Sequence, residues 1–195
     1  QESTREYYDR IVRTYRDRYH DNNCPAMVIY SVQFQPLIDL IRLGRWEQVA
    51  ERLGTVARTL QEAGADFLIL ATVTMHRIVD SIQSHTIIPI LSLVDVTADA
   101  IVARGIHSVG LLGTRFTMEQ PFFREELMQH GLRVLTPGSD ERIELHRILS
   151  EELPAGYVRQ ASREKVVSMI DRLEGQGAEG VIRGGAQLPV LIHQH

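Results

Sequence analysis

The chain has 195 residues, 44% hydrophobic and 24% charged, enough to fill the core of one large domain or of two small α/β lobes. Its net charge of −4, 21 basic against 25 acidic residues, argues against a nucleic-acid surface, which needs clustered Lys and Arg to neutralise phosphates. No apolar run nears the roughly 20 residues that span a bilayer, no charged-then-apolar leader opens the chain, and Cys24 alone makes neither disulfide nor multi-cysteine zinc site.

A cytoplasmic protein is the expectation, with neither membrane nor nucleic acid as partner. Ser3 and Glu6 form a capping box, and Tyr8, Ile11, Val12, Tyr15 and Tyr19 then recur at helical spacing. Pro25 ends the approach to a strand over 26–31. Trp46, Val49, Ala50, Leu53, Val56, Ala57 and Leu60 make one helical stripe, which Gly64 stops. Strands follow over 67–70 and 87–91, then a helix over 95–103 closed by Gly105.

A second series repeats the alternation. The strand 109–112 ends in Gly113-Thr114, and Thr117 caps a helix whose Phe122, Phe123, Leu127 and Met128 face the core. Pro121 is tolerated there because first-turn amides have no helical partner. A strand over 132–135 precedes a helix from Asp140 to about Leu153. Ser162 caps the last long helix, with Val166, Val167, Met169, Ile170 and Leu173 inward, and the strand 180–182 follows. Strands alternating with helices of this length predict an α/β fold with parallel sheet. The chain begins without Met and stops soon after a strand-like segment, so further elements are expected beyond both ends.

Two strand ends match each other. Phe67-Leu68-Ile69-Leu70 runs into Ala71-Thr72-Val73-Thr74-Met75-His76, and Gly180-Val181-Ile182 runs toward Gly184-Gly185-Ala186-Gln187-Leu188-Pro189. Their lead-ins match as well, Ala63-Gly64-Ala65-Asp66 against Gly175-Gln176-Gly177-Ala178-Glu179. Such self-similarity suggests an internal duplication. Ligands gather beyond the carboxyl ends of strands in open parallel sheets. Two pseudo-symmetric lobes facing one ligand cleft are therefore expected. The first covers 1–93 and is completed by 185–195; the second covers 94–184.

With Glu2-Ser3-Thr4-Arg5-Glu6-Tyr7-Tyr8, Ser31-Val32-Gln33-Phe34 and the run from Val109 to Glu119, these segments resemble the aspartate/glutamate/hydantoin racemase superfamily over nearly the whole chain. The resemblance implies a racemase-like fold, a small amino-acid or dicarboxylic-acid ligand, no pyridoxal phosphate or other cofactor, and a homodimer. The helix carrying Trp46 has apolar positions enough for a core and an interface. Members of that family place one cysteine before the Thr-x-Thr-Met-His segment and another in a Gly-Cys-Thr-Glu segment. One thiol removes the α-proton and the other returns it. By the resemblance those positions are Ala71 and Gly185. Val73 stands where a carboxylate-binding Asn is common, Ala186 where Thr is expected and Gln187 where Glu is expected. Neither Ala nor Gly titrates, so two-thiol racemisation is expected to be lost. Cys24 precedes the first strand and reads as a buried thiol, not a replacement.

Thr72, Thr74, Thr114 and Thr117 are the hydroxyls that match the family's binding loops, with local turn or cap roles as the alternative. His76 matches a family histidine and is the candidate base, against a histidine that bonds backbone at a helix start. Arg163 and Lys165 match a basic region near the distal carboxylate in some relatives, against a solvated helix face. A metal site made by His76, His193 and His195 has no supporting motif, and none is expected. The leading expectation is a racemase-family protein that binds a small acid. The alternatives are a non-catalytic binding or regulatory protein, a thiol-independent lyase or decarboxylase, and an engineered or truncated racemase scaffold.

Overall fold

The computed structural model describes residues 2–185 and 187–192. Internal contacts divide the chain into two compact units, Gln1–Ser92 and Leu93–His195. The fold is mixed α/β with parallel strand pairing.

In the first unit, α1 (Glu2–Tyr19), α2 (Phe34–Arg42) and α3 (Trp46–Glu62) precede β1 (Leu68–Ile69). A 3-10 turn (Thr74–Ile78), α4 (Val79–Gln83) and β2 (Ile90–Leu91) follow. Strands β1 and β2 pair in parallel, Leu68 with Ile90 and Ile69 with Leu91. Leu37 and Leu40 of α2 and Val49, Leu53 and Ala57 of α3 bury against Leu68, Met75 and Ile82. Helix α3 stops as its sequence requires. Gly64 adopts φ +89, its N–H donates to the Gln61 carbonyl, and Ala65 N–H reaches back to Leu60.

Three expectations fail in this unit. Ser3 lies inside α1, and the Glu6 carboxylate pairs with Arg10 at 2.6 Å instead of closing a capping box. The strand expected over 26–31 does not form; Val28, Ile29 and Tyr30 are about half exposed in irregular chain. A strand needs a neighbour to take its peptide groups, and β1 pairs with β2 instead. Cys24 in the same segment is exposed, so its thiol is not the buried one expected. Helix α2, which the apolar spacing of Leu37, Leu40 and Ile41 carries, went unanticipated.

The second unit runs α5 (Leu93–Val102), β3 (Ser108–Gly113), α6 (Arg115–Glu119), α7 (Pro121–Gln129), β4 (Arg133–Leu135) and α8 (Ser139–Arg147). A π-helical turn (Ile148–Glu152), α9 (Gln160–Gly175), β5 (Gly180–Gly184) and α10 (Leu188–Leu191) complete it. The sheet order is β4-β3-β5, all parallel, with every residue of β3 buried. Its continuous apolar run is what a strand covered on both faces requires. Leu112, Met118, Leu145, Ile148, Val166, Met169 and Leu173 form the core with Leu188 and Leu191 of α10. Those two leucines belong to the second unit's core, whereas the sequence reading gave 185–195 to the first lobe.

Two expected caps take other roles. Thr117 lies within α6, and Thr114 is the residue before its first turn. Ser162 lies in the first turn of α9, where its hydroxyl donates to both oxygens of the Glu152 carboxylate at 2.9 Å. Glu152, only 4% exposed, also meets Arg147 and Arg159, each at 3.2 Å. A buried carboxylate is tolerated when charge and hydrogen bonds surround it in this way. No helix among the described residues is long and apolar enough to cross a membrane.

Candidate functional site

Beyond β1 the chain turns at once. Thr72 N–H donates to the Leu70 carbonyl at 2.8 Å, with Ala71 half-buried between them and Thr72 exposed. The 3-10 turn then buries Met75 and His76. The His76 ring donates from Nδ1 to the Thr72 carbonyl at 2.8 Å, because a carbonyl oxygen only accepts. The imidazole therefore clamps the loop that holds Thr72, Val73 and Thr74. This is the backbone-bonding arrangement that stood against a base role for His76. Next to it, the Arg77 guanidinium lies 4.6 Å from the centre of the Trp46 ring.

The second unit's strand ends are built around missing side chains. Gly113 of β3 pairs with Gly184 of β5, and the buried Thr117 packs against both. A Cβ at Gly113 would come within 2.9 Å of Thr117 and of the Gly184 carbonyl. One at Gly184 would meet Thr117 at 2.8 Å and the Leu112 carbonyl at 2.9 Å. Thr117 Oγ1 lies 3.4 Å from Thr114 Oγ1 and 3.5 Å from the Gly184 carbonyl, so both hydroxyls stand at this strand end. The Gly-Thr and Gly-Gly dipeptides after apolar runs were the readable signal of this close approach.

Gly185 turns the chain through its N–H, which donates to the Arg183 carbonyl at 2.8 Å. Among the described residues, a Cβ added there would meet only the Gln187 amide oxygen, at 3.4 Å. Gln187 is half-buried at the start of α10. Ala186 lies outside the described residues, as do His193 and His195.

The two basic candidates on α9 differ. Lys165 Nζ donates to Glu144 at 2.6 Å, and Arg147 binds the same carboxylate at 3.0 Å. The Arg147 hydrogen bonds, then that of Lys165, hold the Glu144 carboxyl at about 2. Arg163 is half-buried, and its guanidinium has no hydrogen-bond or ion-pair partner among the described residues. Arg115, beside Thr114, is committed to Glu119 at 3.0 Å, and that pairing holds the Glu119 carboxyl below its ordinary value. The Glu152 cluster escaped the sequence reading, since partners from positions 147, 159 and 162 meet there only once the π-turn forms.

Comparison with known proteins gives one answer. The Asp/Glu/Hydantoin racemase family model matches residues 1–195. A crystal structure of a candidate Asp/Glu racemase from Yersinia pestis matches with TM-score 0.95 and 36% identity, over 98% of this chain and 84% of that one. An aspartate racemase homologue from Pyrococcus horikoshii OT3 matches with TM-score 0.89 and 34% identity, over 99% and 84%. The aspartate racemase of Picrophilus torridus, at 16% identity and TM-score 0.68 over 98% and 79%, shares the fold. With a family match over its whole length and two solved structures more than 30% identical, the chain belongs to the Asp/Glu/hydantoin racemase family.

Proposed function

We propose that the protein binds a small amino acid or dicarboxylic acid at its strand-end loops and does not racemise it by the two-thiol route. One observation carries the reading: the positions that the family resemblance gives to the two cysteines hold Ala71 and Gly185. Racemisation requires a base against each face of the α-carbon, and each positioned acid/base group contributes roughly a hundred- to ten-thousand-fold. Alanine and glycine supply neither. Carboxylate binding does not need the thiols, because loop amides and the hydroxyls of Thr72, Thr74, Thr114 and Thr117 offer donors. Of the two basic candidates on α9, Arg163 is the one without a partner among the described residues and so the one offered to a distal carboxylate, since Lys165 is held by Glu144. No cofactor enters this reading. A homodimer and a cytoplasmic location belong to it.

Between a silent binding protein and a thiol-independent lyase, the geometry of His76 favours the first. Its Nδ1 is spent on the Thr72 carbonyl, and its ring is buried. Proton NMR in deuterium oxide tests the reading with each enantiomer of aspartate and glutamate. Ligand line broadening without loss of the α-proton signal is expected. Exchange at an enzymatic rate would overturn the loss of catalysis, and unbroadened lines at millimolar acid would overturn binding.

A further inference from the structure

Away from the strand-end loops, three metal-ligating side chains converge on the second unit's helices. Asp95 stands in the first turn of α5, Glu126 in α7, and His130 one residue past the end of α7. The four-residue spacing puts Glu126 and His130 on one face. Ligand atoms of the three residues lie within 4.8 Å of one another, each residue half-buried. No other group of three His, Cys, Asp or Glu side chains converges in this way among the described residues.

The histidine has a carboxylate at each ring nitrogen, one of them from outside that trio. Its Nε2 faces Asp95 Oδ1 at 3.1 Å, while its Nδ1 faces Asp99, one turn further along α5, at 3.4 Å. A carboxylate on one ring nitrogen fixes a proton there and turns the other nitrogen's lone pair toward the remaining donors. Metal-ligating imidazoles are held by this kind of outer partner.

We propose that Asp95, Glu126 and His130 bind one divalent transition cation, with Asp99 as the residue that positions the imidazole. One nitrogen and two carboxylate oxygens suit zinc, manganese, cobalt or nickel and not a soft monovalent ion. Zinc–ligand lengths of about 2.0–2.2 Å bring tetrahedral donors to roughly 3.5 Å from each other. The present spread closes to that by side-chain rotation, which partly exposed groups can make. A bound ion would pin α5 to α7 and leave one position for water.

The test is equilibrium dialysis of the chelator-treated full chain against zinc, with thermal unfolding followed in parallel. The expected result is one zinc more per chain in the wild type than in His130→Ala, and a zinc-dependent rise in Tm that this variant lacks. Asp99→Asn should keep the stoichiometry and weaken affinity about 10- to 100-fold. If His130→Ala does not fold, Glu126→Gln replaces it, since it keeps the shape and removes a charged donor. Equal zinc uptake by wild type and variant would mean adventitious binding at other histidines and would overturn the site, as would no uptake by the wild type. An unchanged affinity in Asp99→Asn would overturn the role given to Asp99.

Discussion

Among the described residues, Gly185 has room for a side chain that the sequence does not supply. The backbone there is not in the left-handed region, and among the described residues an added Cβ meets only the flexible end of Gln187, at 3.4 Å. Gly185→Cys should therefore fold with a stability change under about 1 kcal/mol, well below the cost of forcing atoms into a packed core. Ala71→Cys adds one sulfur at a half-buried position. If the strand ends have kept their ligand geometry, the double variant should show α-proton exchange of aspartate or glutamate in deuterium oxide, and the wild type none. A well-folded double variant that binds the acid and leaves its α-proton in place would show that the loss extends beyond the thiols. The absent thiols were legible in the sequence because a family pattern places them. The clamp from His76 to Thr72 was legible only as an alternative, since four-residue spacing permits the bond without requiring it.

Elements are where the sequence reading succeeded most and where its errors share a cause. Strands β3, β4 and β5 and the helices between them follow from apolar runs punctuated by glycine. Both matched lead-ins end a helix by the same stop: Gly64 at φ +89 and Gly177 at φ +98, each followed by a residue whose N–H bonds the carbonyl five residues back, Ala65 to Leu60 and Ala178 to Leu173. Local chemistry decides such stops, so the sequence displays them. The strand over 26–31 and the caps at Thr117 and Ser162 depended on distant partners, and there the local signal misled. The Gly113–Gly184 pair is the element-scale feature most open to test. Gly184→Ala would drive a methyl to 2.8 Å of Thr117 and 2.9 Å of the Leu112 carbonyl, and backbone cannot yield as a side-chain tip does. A loss of about 1–3 kcal/mol in urea unfolding is expected, against little change for Gly185→Ala. Equal effects at the two glycines would remove the argument from close approach. Helices α8 and α9 are joined by Lys165–Glu144 and Arg172–Glu141 ion pairs. Glu144, held at about 2 against an ordinary 4.5, contributes stability fully above pH 4.5 and loses it as pH falls from there toward about 2. Its partners are exposed, so the contribution is small. Glu144→Gln should flatten the acid limb of stability within that window, as circular dichroism would register. Superimposable acid limbs would assign the sensitivity to another carboxylate.

At the scale of the whole molecule the open matter is association. In the sequence, the α3 stripe is the candidate to serve a core and an interface together. That stripe is consumed: Val49, Ala50, Leu53 and Ala57 are buried in the first unit, and half-buried Trp46 lies against Arg77. Other apolar groups of that unit remain open to solvent. Phe34 is 68% exposed and Ile87 90%, and Val28, Ile29, Tyr30 and Phe67 each exceed half. Single exposed apolar residues are ordinary on a protein surface, but with Tyr19 and Leu43 the described residues of this unit hold eight large ones more than half exposed, which is more than solubility favours. Burying them against a second copy would remove apolar area from water at roughly 25 cal/mol per Å². The homodimer is therefore expected to form through the first unit. Sedimentation velocity at micromolar concentration should give a dimer, and Phe34→Ser with Ile87→Ser should shift it toward monomer without disturbing circular dichroism. Both side chains lie largely outside the core, so the substitutions cost little folding energy. A wild-type monomer at these concentrations would dispose of the dimer. A dimer indifferent to both changes would place its interface on other residues.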